Sequence, residues 1–394
     1  MVEWKSIGEI SSNVFAGGTP STKHEEYYDG DIPWIRSGEI DFNVITKAER
    51  NITTAGYENS SAKLIRKGSV VMAMTGATVA KSAIVDFETT ANQSVCAIET
   101  VESIVNYKFV FYSLAKDYFK IRSSAQGALT SLNLAMIKQL QIPIPSLSEQ
   151  SRIVSILDTF TSSISNLKQQ IEERRKQYEY ERDLLLDLEG EEGVEMKKLG
   201  EVVSSDCSLS YGIVQPGDDV ADGVPVVRPV DLISNYVKLD GLKKTERLIS
   251  ESYKRTILKG NEILFCVRGT TGIMGLATNE LKGCNVTRGI VPISFDDEIT
   301  KMFVYYQLKC FRLQKVIDEK TNGTALKQIN IKDLRLLNLF FPPLSTQSRI
   351  VSILDTLEQS ISNLEEQLAM REKQYEYYRN QLLTFEGEEE RGKT

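Results

Sequence analysis

The chain has 394 residues, of which 41% are hydrophobic and 26% are charged, and its formal net charge is −7. This length allows two or three domains with real cores, and the composition excludes a largely disordered chain. No charged segment followed by an apolar stretch opens the chain, and no apolar run approaches the length of a membrane span, so we expect a cytoplasmic protein.

The inventory of catalytic and metal-binding side chains is small. The only histidine is His24, and the five cysteines form no Cys-x-x-Cys pair. We therefore expect no catalytic triad, no metal site and no disulfide framework. The sequence also lacks a GxxxxGK phosphate loop and a GxGxxG loop after a strand. The Gly-Thr clusters at residues 75–78 and 268–272 fit a phosphate cradle or a turn between strands equally well.

Taken in order, the chain opens with a globular segment that begins VEWKSIGEI and returns as VEMKKLGEV at Val194. Short β-rich runs such as SVVMAMT, SAIVDF and SVCAIE predict a compact sheet. An amphipathic helix over YKFVFYSLAKDYFKI in the first segment, or MFVYYQLKCFRLQKVI in the second, is expected next. A last extended segment, IKQLQIPIP or LRLLNLFFPP, leads into a long helix with Ser148 or Ser345 as the expected N-cap.

The long helices are the strongest feature of the sequence. Residues 147–190 and 344–387 are identical at 29 of 44 positions at a constant offset of 197, which makes the chain an internal repeat. In both copies apolar residues recur at spacings of four and three, which is typical of a coiled-coil seam rather than of a helix packed on a globular core. The predicted seam consists of Ile153, Leu157, Phe160, Ile164, Leu167, Ile171, Tyr178, Leu185 and Leu188, and of Ile350, Leu354, Leu357, Ile361, Leu364, Leu368, Tyr375, Leu382 and Phe385.

Chain connectivity predicts that these helices pair antiparallel. A helix of about 41 residues is roughly 60 Å long, whereas a compact 150-residue domain has a radius of gyration of roughly 15 Å and returns the chain near its starting point. The expected fold is therefore α/β (mixed α+β): two globular domains separated by a long antiparallel two-helix coiled coil with pseudo-twofold symmetry. Net charges of −1 for residues 1–147, −5 for 148–193, +3 for 194–344 and −4 for 345–394 place the acidic excess on the helices.

The motifs GGTPST, IPWIRSGEI, the Asn92-Gln93 pair and PxPxLSEQxRIVxxLD give the whole chain a resemblance to the specificity subunits of Type I restriction-modification systems. The resemblance implies target recognition domains at 1–147 and 194–344 and conserved helices at 148–193 and 345–387. The charged end of the chain, which lacks apolar residues, predicts a flexible tail at 388–394. It also implies that the domains read the two halves of a bipartite site in double-stranded DNA. Two methyltransferase subunits would dock on the helices, with restriction subunits completing the complex. S-adenosylmethionine would belong to the modification subunits and ATP with Mg to the restriction subunits, so this chain would be non-catalytic.

Base edges are read by Arg, Lys, Asn, Gln, Ser and Thr side chains projected from loops. In the first domain this criterion nominates Thr19, Ser21, Thr22, Lys23, Arg36, Lys81, Asn92, Gln93, Thr130 and Ser131. In the second it nominates Tyr211, Gln215, Arg228, Arg268, Thr270, Thr271, Arg288, Asn322 and Lys327. Because SLSYGIVQPG replaces GGTPST and VTRGI replaces ANQSV, the two half-sites should differ.

Two other classes of protein compete with this interpretation. A coiled-coil scaffold that binds proteins at both ends would suit the acidic overall charge, whereas the divergent loops bearing Arg, Lys and Asn favour DNA recognition. A self-sufficient methyltransferase is disfavoured because Phe341-Pro342-Pro343-Leu344 lacks the amide or carboxylate that would hold the target amino group, and because no cofactor motif is present.

Overall fold

The structure, a computed structural model, describes residues 2–125, 131–321 and 327–385. It divides into two compact units, one comprising residues 1–168 and 366–394 and the other residues 169–365. Each unit therefore contains one globular segment, part of the first long helix and part of the second.

The first globular segment consists of short strands and helices that end at the first long helix. Their order is β1 (Glu3–Ser6), α1 (Ile7–Ile10), β2 (Ser11–Ala16), β3 (Tyr28–Ile35), β4 (Val44–Ile45), β5 (Arg50–Ile52), α2 (Thr54–Glu58), β6 (Val70–Ala73), β7 (Ser82–Val85), β8 (Thr90–Ala91), β9 (Val95–Thr100), α3 (Tyr107–Lys116), α4 (Tyr118–Ser123), α5 (Leu134–Gln139), β10 (Gln141–Ile144) and α6 (Leu147–Leu185).

A central sheet covered on both faces organises this segment. Its strand order is β2-β9-β6-β7-β4, beside a three-stranded sheet β5-β3-β8 and an antiparallel pair β1-β10. Because side chains alternate along a strand, Val70 and Met72 of β6 join the core that contains Phe109 of α3. Val71 and Ala73 join the core on the other face. The predicted strands in SVVMAMT, SAIVDF and SVCAIE thus appear as β6, β7 and β9.

The second globular segment repeats this plan. Its elements are β11 (Glu195–Lys198), α7 (Leu199–Val202), β12 (Val224–Val227), β13 (Lys243–Thr245), α8 (Arg247–Ser252), β14 (Ile263–Cys266), β15 (Met274–Leu276), β16 (Asn285–Val286), β17 (Ile290–Ile293), α9 (Glu298–Lys309), α10 (Phe311–Glu319), α11 (Ile331–Arg335), β18 (Asn338–Phe341) and α12 (Leu344–Leu382).

The strand pairings show the correspondence between the two segments. The sheets β15-β14-β17, β13-β12-β16 and β11-β18 are the counterparts of β7-β6-β9, β5-β3-β8 and β1-β10. Strand β14 alternates as β6 does: Ile263 and Phe265 join the core that contains Phe303 of α9, and Leu264 and Cys266 join the core behind it. The internal repeat predicted from the sequence is therefore present in the fold.

Two helical predictions need correction. The amphipathic helix is broken in both segments, at Asp117 between α3 and α4 and at Cys310 between α9 and α10. Cys310 has an extended backbone with ψ of 149°, which a continuous helix cannot contain. The segments predicted to be extended each begin with a helix, α5 or α11, and only their second half forms a strand.

The long helices α6 and α12 each contain 39 residues, fewer than predicted. They end at Leu185 and Leu382 rather than at 193 and 387, so Leu188 and Phe385 of the predicted seam lie beyond the helices. The physical reason is that the chain turns into the domain cores, where Leu186, Leu188 and Leu383 are buried. Ser148 and Ser345 lie within the first turn rather than at the N-cap, and Ser146 Oγ accepts from Glu149 N at 3.3 Å in α6.

Within each unit the two helices run antiparallel. In the first unit the rings of Phe160 and Tyr378 stack at 5.3 Å, and Lys168 Nζ lies 3.1 Å from Glu372 Oε1. Residue numbers therefore rise on α6 as they fall on α12. The same order holds in the second unit, where Arg175 pairs with Glu365 at 2.5 Å and Tyr178 OH donates to Glu358 Oε1 at 2.7 Å.

Burial along the seam follows the number of neighbours that each residue has. Residues near the start of each helix also contact a domain core, and Ile153, Leu157, Ile350 and Leu354 are at most 1% exposed. Farther along, Ile171 and Tyr178 are also buried, at 7% exposure each. The remaining seam residues within the helices are half-buried: Phe160, Ile164, Leu167, Leu185, Leu357, Ile361, Leu364, Leu368, Tyr375 and Leu382. Among these, Leu185, Leu357, Ile361, Tyr375 and Leu382 pack against a domain core. Among the described residues, no helix is both long and apolar enough to cross a membrane.

Candidate nucleic-acid interface

In the first domain, five loops meet where the strands of both sheets end. We call this surface the first loop face; it comprises residues 17–24, 36–41, 74–81, 92–94 and 131–132. Backbone hydrogen bonds hold the loops together, so their side chains project from a fixed frame. These bonds run from Gly18 N to Ala91 O at 2.8 Å, Asn92 N to Ile35 O at 3.0 Å, Met74 N to Ser94 O at 2.8 Å and Leu132 N to Met74 O at 2.8 Å.

The second domain builds the same frame from different residues. This second loop face comprises residues 211–215, 228–231, 268–272, 287–289 and 327–329. Each bond of the first frame has a counterpart here, which establishes position by position which residues of the two faces correspond. The counterparts run from Ile213 N to Val286 O at 2.8 Å, Thr287 N to Val227 O at 2.9 Å, Val267 N to Gly289 O at 2.8 Å and Ile329 N to Val267 O at 3.0 Å.

Equivalent glycines, one in each face, allow a close backbone approach. A Cβ on Gly17 would lie 2.2 Å from Ala91 O, and a Cβ on Gly212 would lie 2.1 Å from Val286 O. Both distances are far below van der Waals contact, so neither position accepts a side chain without movement of the backbone. The two glycines occupy equivalent positions, which makes Thr19 the counterpart of Val214.

Most nominated residues of the first domain lie on the first loop face. Thr19 Oγ1 donates to Gln93 Oε1, and Asn92 Oδ1 accepts from Ser94 N at 3.2 Å. Ser21, Thr22, Lys23 and Gln93 are exposed. Thr130 lies outside the described residues, next to Ser131. The Gly-Thr cluster at 75–78 is part of the connection between β6 and β7, and Thr78 Oγ1 donates to Ser37 O at 3.0 Å.

Some nominated residues of the second domain have exposed side chains, and others are held by hydrogen bonds within the domain. Gln215, Thr270, Arg288 and Lys327 are exposed, whereas Arg268 and Thr271 are half-buried. Thr271 Oγ1 donates to Lys327 O at 3.1 Å, so residues 268–272 form a tied turn between β14 and β15. The hydroxyl of Tyr211 accepts from Ile331 N at 3.2 Å. Asn322 lies outside the described residues.

Two nominated arginines are held by acidic side chains. Arg228 donates to Asp231 through Nε at 3.0 Å and through Nη2 at 2.7 Å. Its counterpart Arg36 donates through Nη2 to Glu49 at 2.6 Å, and Arg36 N donates to Glu39 Oε1 at 2.7 Å. Burial raises the pKa of Glu39, although the N–H groups of Arg36 and Glu49 act in the opposite direction. These contacts give Arg36 and Arg228 a structural role in shaping the loop.

The two faces differ in available positive charge. On the first, Arg36 and Lys81 are both neutralised, the latter by Asp41 at 2.6 Å, and the exposed Lys23 forms no ion pair with a described residue. On the second, Arg268, Arg288 and Lys327 form no ion pair with any residue that the structure describes. The second face therefore attracts an anionic ligand more strongly, and the first offers mainly neutral amides and hydroxyls. Within the described ranges, no group of three His, Cys, Asp or Glu side chains could hold a metal ion.

Sequence reasoning missed a half-buried polar cluster where the second domain meets its helices. Glu358 on α12 accepts from Tyr178 OH, from Asn235 Nδ2 at 2.9 Å and from Lys309 Nζ at 2.9 Å. The carboxylate thereby joins α6, α9 and the loop before β13. Thr161 occupies the position of Glu358 in the first helical repeat. This difference between the two repeats was the sequence signal that could have pointed to the cluster.

Comparisons with known proteins agree with this architecture. Residues 1–174 and 191–370 match the family model described as Type I restriction modification DNA specificity domain. The chain is 35% identical over 195 residues to a Type I restriction enzyme specificity subunit of Escherichia coli, with 47% of this chain and 48% of that protein covered. The alignment with a second E. coli specificity subunit, at 26% identity, covers 64% of that protein. The chain is 26% identical over 405 residues to the MjaIX specificity subunit of Methanocaldococcus jannaschii, with 94% of this chain and 89% of that protein covered.

Solved structures share the fold. The S subunit of a Type I system from M. genitalium has a TM-score of 0.61 at 15% identity, covering 98% of this chain and 96% of that one. A chain from a structure on complex assembly and conformational transition of the type I R-M system has a TM-score of 0.62 at 19% identity, with 97% of each chain covered. By its sequence match over both repeats, this chain belongs to the Type I restriction modification DNA specificity domain family.

Proposed function

We propose that this chain is the DNA sequence-specificity subunit of a Type I restriction-modification enzyme. In this proposal each loop face reads one half of a bipartite site in double-stranded DNA. The observation that carries it is the pair of loop faces: the same backbone hydrogen bonds support two different sets of polar side chains. Such a pair suits the recognition of two different half-site sequences, called words below, by one structural mechanism. Family membership and the names of the relatives support the same role.

The proposal assigns the long helices two further tasks. They would set the spacing between the half-sites, and they would dock two methyltransferase subunits. The identity of 29 of 44 residues between the helical repeats supports the second task, because two copies of one partner require two copies of one surface. The loop faces, in contrast, have diverged as two separate reading surfaces would.

Chemistry would belong to the partners. In this proposal S-adenosylmethionine is bound by the modification subunits, and ATP with Mg by the restriction subunits. This chain would contribute recognition alone, as a non-catalytic subunit of a cytoplasmic complex. The free chain should bind DNA weakly, because its net charge of −7 opposes the phosphate field.

A protein-binding scaffold is the alternative, and the charge distribution on the loop faces argues against it. Arg268, Arg288 and Lys327 belong to segments of the second loop face that backbone hydrogen bonds join, Val267 N to Gly289 O at 2.8 Å and Gly269 N to Lys327 O at 2.9 Å. A cluster of basic residues on one face of an otherwise acidic chain is typical of a nucleic-acid footprint. A scaffold that binds proteins has no need for such a cluster.

The test uses the chain co-expressed with its cognate modification subunits. The purified complex is incubated with S-adenosylmethionine and a library of randomised duplex DNA, and the methylated molecules are sequenced. We expect two unlike short words separated by a fixed gap, with methylation that falls as salt rises. A complex that forms but methylates without sequence preference, or a single contiguous word, would contradict the proposal.

A further inference from the structure

Gln93 and Arg288 occupy the same position on the two loop faces. Gln93 follows Asn92, whose N–H donates to Ile35 O at the end of β3. Arg288 follows Thr287, whose N–H donates to Val227 O at the end of β12. In both turns that preceding residue also accepts from the first residue of the next strand: Val95 N to Asn92 O is 3.1 Å, and Ile290 N to Thr287 O is 2.9 Å. Both side chains are exposed. The two domains thus present an amide and a guanidinium from one and the same backbone turn.

The neighbours of the two side chains differ in a way that matches their chemistry. Beside Gln93, the hydroxyl of Thr19 donates to Oε1, which orients the amide and leaves both N–H donors and the second lone pair of Oε1 available. The counterpart of Thr19 is Val214, which is 50% exposed and offers no hydrogen bond. Arg288 forms no ion pair with a described residue, so all of its side-chain donors remain available for a ligand.

On these grounds we infer that Gln93 reads an adenine in the first half-site and that Arg288 reads a guanine in the second. The inference rests on the proposed function and assigns one base pair of each word. An amide that donates and accepts in parallel matches N7 and N6 of adenine in the major groove. A guanidinium that donates twice matches O6 and N7 of guanine.

Two other arginines that follow strands, Arg228 and Arg36, are less suited to this task. Arg228 already uses Nε and Nη2 on Asp231, so binding guanine would break a bidentate ion pair. Arg36 is tied to Glu49, which directly precedes β5. A lysine such as Lys327 presents a point charge without the planar pair of donors, which suits a phosphate better than a base.

The test exchanges the two side chains and reads each base pair separately. Arg288→Gln and Gln93→Arg are prepared as complexes with the modification subunits, and methylation rates are measured on duplexes that carry every base at each position of the wild-type motif. Arg247→Gln is the matched control, because Arg247 is an exposed arginine at the other end of β12, where Val224 pairs with Thr245.

We expect Arg288→Gln to lose its preference for G·C at one base pair of the second word by about tenfold to a hundredfold and to favour A·T there. Gln93→Arg should make the converse change in the first word, and Arg247→Gln should change neither. Arg288→Lys, which retains the charge, should also lose the preference for guanine.

The results that would overturn this inference differ from the result that would refute the proposed function. Unchanged base preferences in folded Arg288→Gln, or uniform weakening at every sequence as expected for a phosphate contact, would overturn the inference while leaving the proposed function intact. If Arg288→Gln does not fold, unaltered specificity in Arg288→Lys would overturn it. A wild-type complex without a bipartite motif would instead refute the proposed function.

Discussion

Gly17→Ala is expected to damage the first domain and its half-site while leaving the second half-site intact. The added Cβ would lie 2.2 Å from Ala91 O and 2.5 Å from Asn92 O, whereas ordinary contact begins near 3.4 Å. Both obstructing atoms are backbone carbonyls, so no side-chain rotation relieves the clash. The turn that carries Gln93 must therefore move by about 1 Å relative to β2.

Overpacking of this kind costs about 1–3 kcal/mol, and a backbone obstruction places the substitution near the upper end. For a unit of this size, a loss of about 3 kcal/mol lowers the melting temperature by about 6–12 °C. Displacement of Gln93 should also remove discrimination at its base pair, worth about 1–3 kcal/mol. The second word should be unaffected, because the second face rests on Gly212.

Calorimetry of the isolated chain and methylation of base-substituted duplexes by the complex measure the two effects. Gly38→Ala is the matched control on the same face: no heavy atom lies within 4 Å of its added Cβ, and its φ is not positive. It should be neutral or more stable by about 0.4–1 kcal/mol. A Gly17→Ala protein that melts like wild type and keeps its first word would refute this account of the loop frame.

Further predictions concern titration and spacing. Glu9 and Glu39 should titrate on opposite sides of 4.5 by carboxyl NMR, because hydrogen bonds from Ser6 lower the pKa of Glu9 and burial raises that of Glu39. The contribution of Glu9 to stability is therefore present above pH 4.5 and is lost as pH falls through its lowered pKa. The contribution of Glu39 is present at low pH and is lost as pH rises through its raised pKa. Equal titration midpoints would count against both assignments. Deleting residues 164–170 and 361–367 removes one heptad from each helix, about 10 Å or roughly 3 bp, and should shorten the gap between unchanged words. An unaltered gap, measured by sequencing of methylated library DNA, would mean that the helices do not set the spacing.

The repeat, the sheet-forming runs and the paired helices could be predicted from sequence because each depends on local periodicity or direct repetition. The ends of α6 and α12 could not, since they depend on tertiary burial of Leu186 and Leu383 in the domain cores rather than on the heptad pattern. The break at Cys310 is likewise invisible in a pattern of apolar residues that continues across it.

Composition nominated polar loop residues for the site but could not rank them. Arg36 and Arg228 looked like base readers, yet each begins a tight turn whose acid, Glu39 or Asp231, lies three residues later and accepts from its N–H. The Arg-x-x-Glu and Arg-x-x-Asp spacings were a capping signal that could have identified this role. The correspondence of ANQSV with VTRGI already placed Gln93 opposite Arg288. The equivalence of Gly17 with Gly212 required the backbone hydrogen bonds of the structure, because GGTPST and SLSYGIVQPG share too little to align.

A chain with two copies of the second domain tests the central claim most directly. Residues 2–145 are replaced by residues 194–342, so that both long helices follow the same recognition domain. Methylation of a randomised duplex library by this chain with its modification subunits should select the second word twice. Retention of the original first word, or methylation without any repeated word, would contradict the claim that each domain reads its own half of the site.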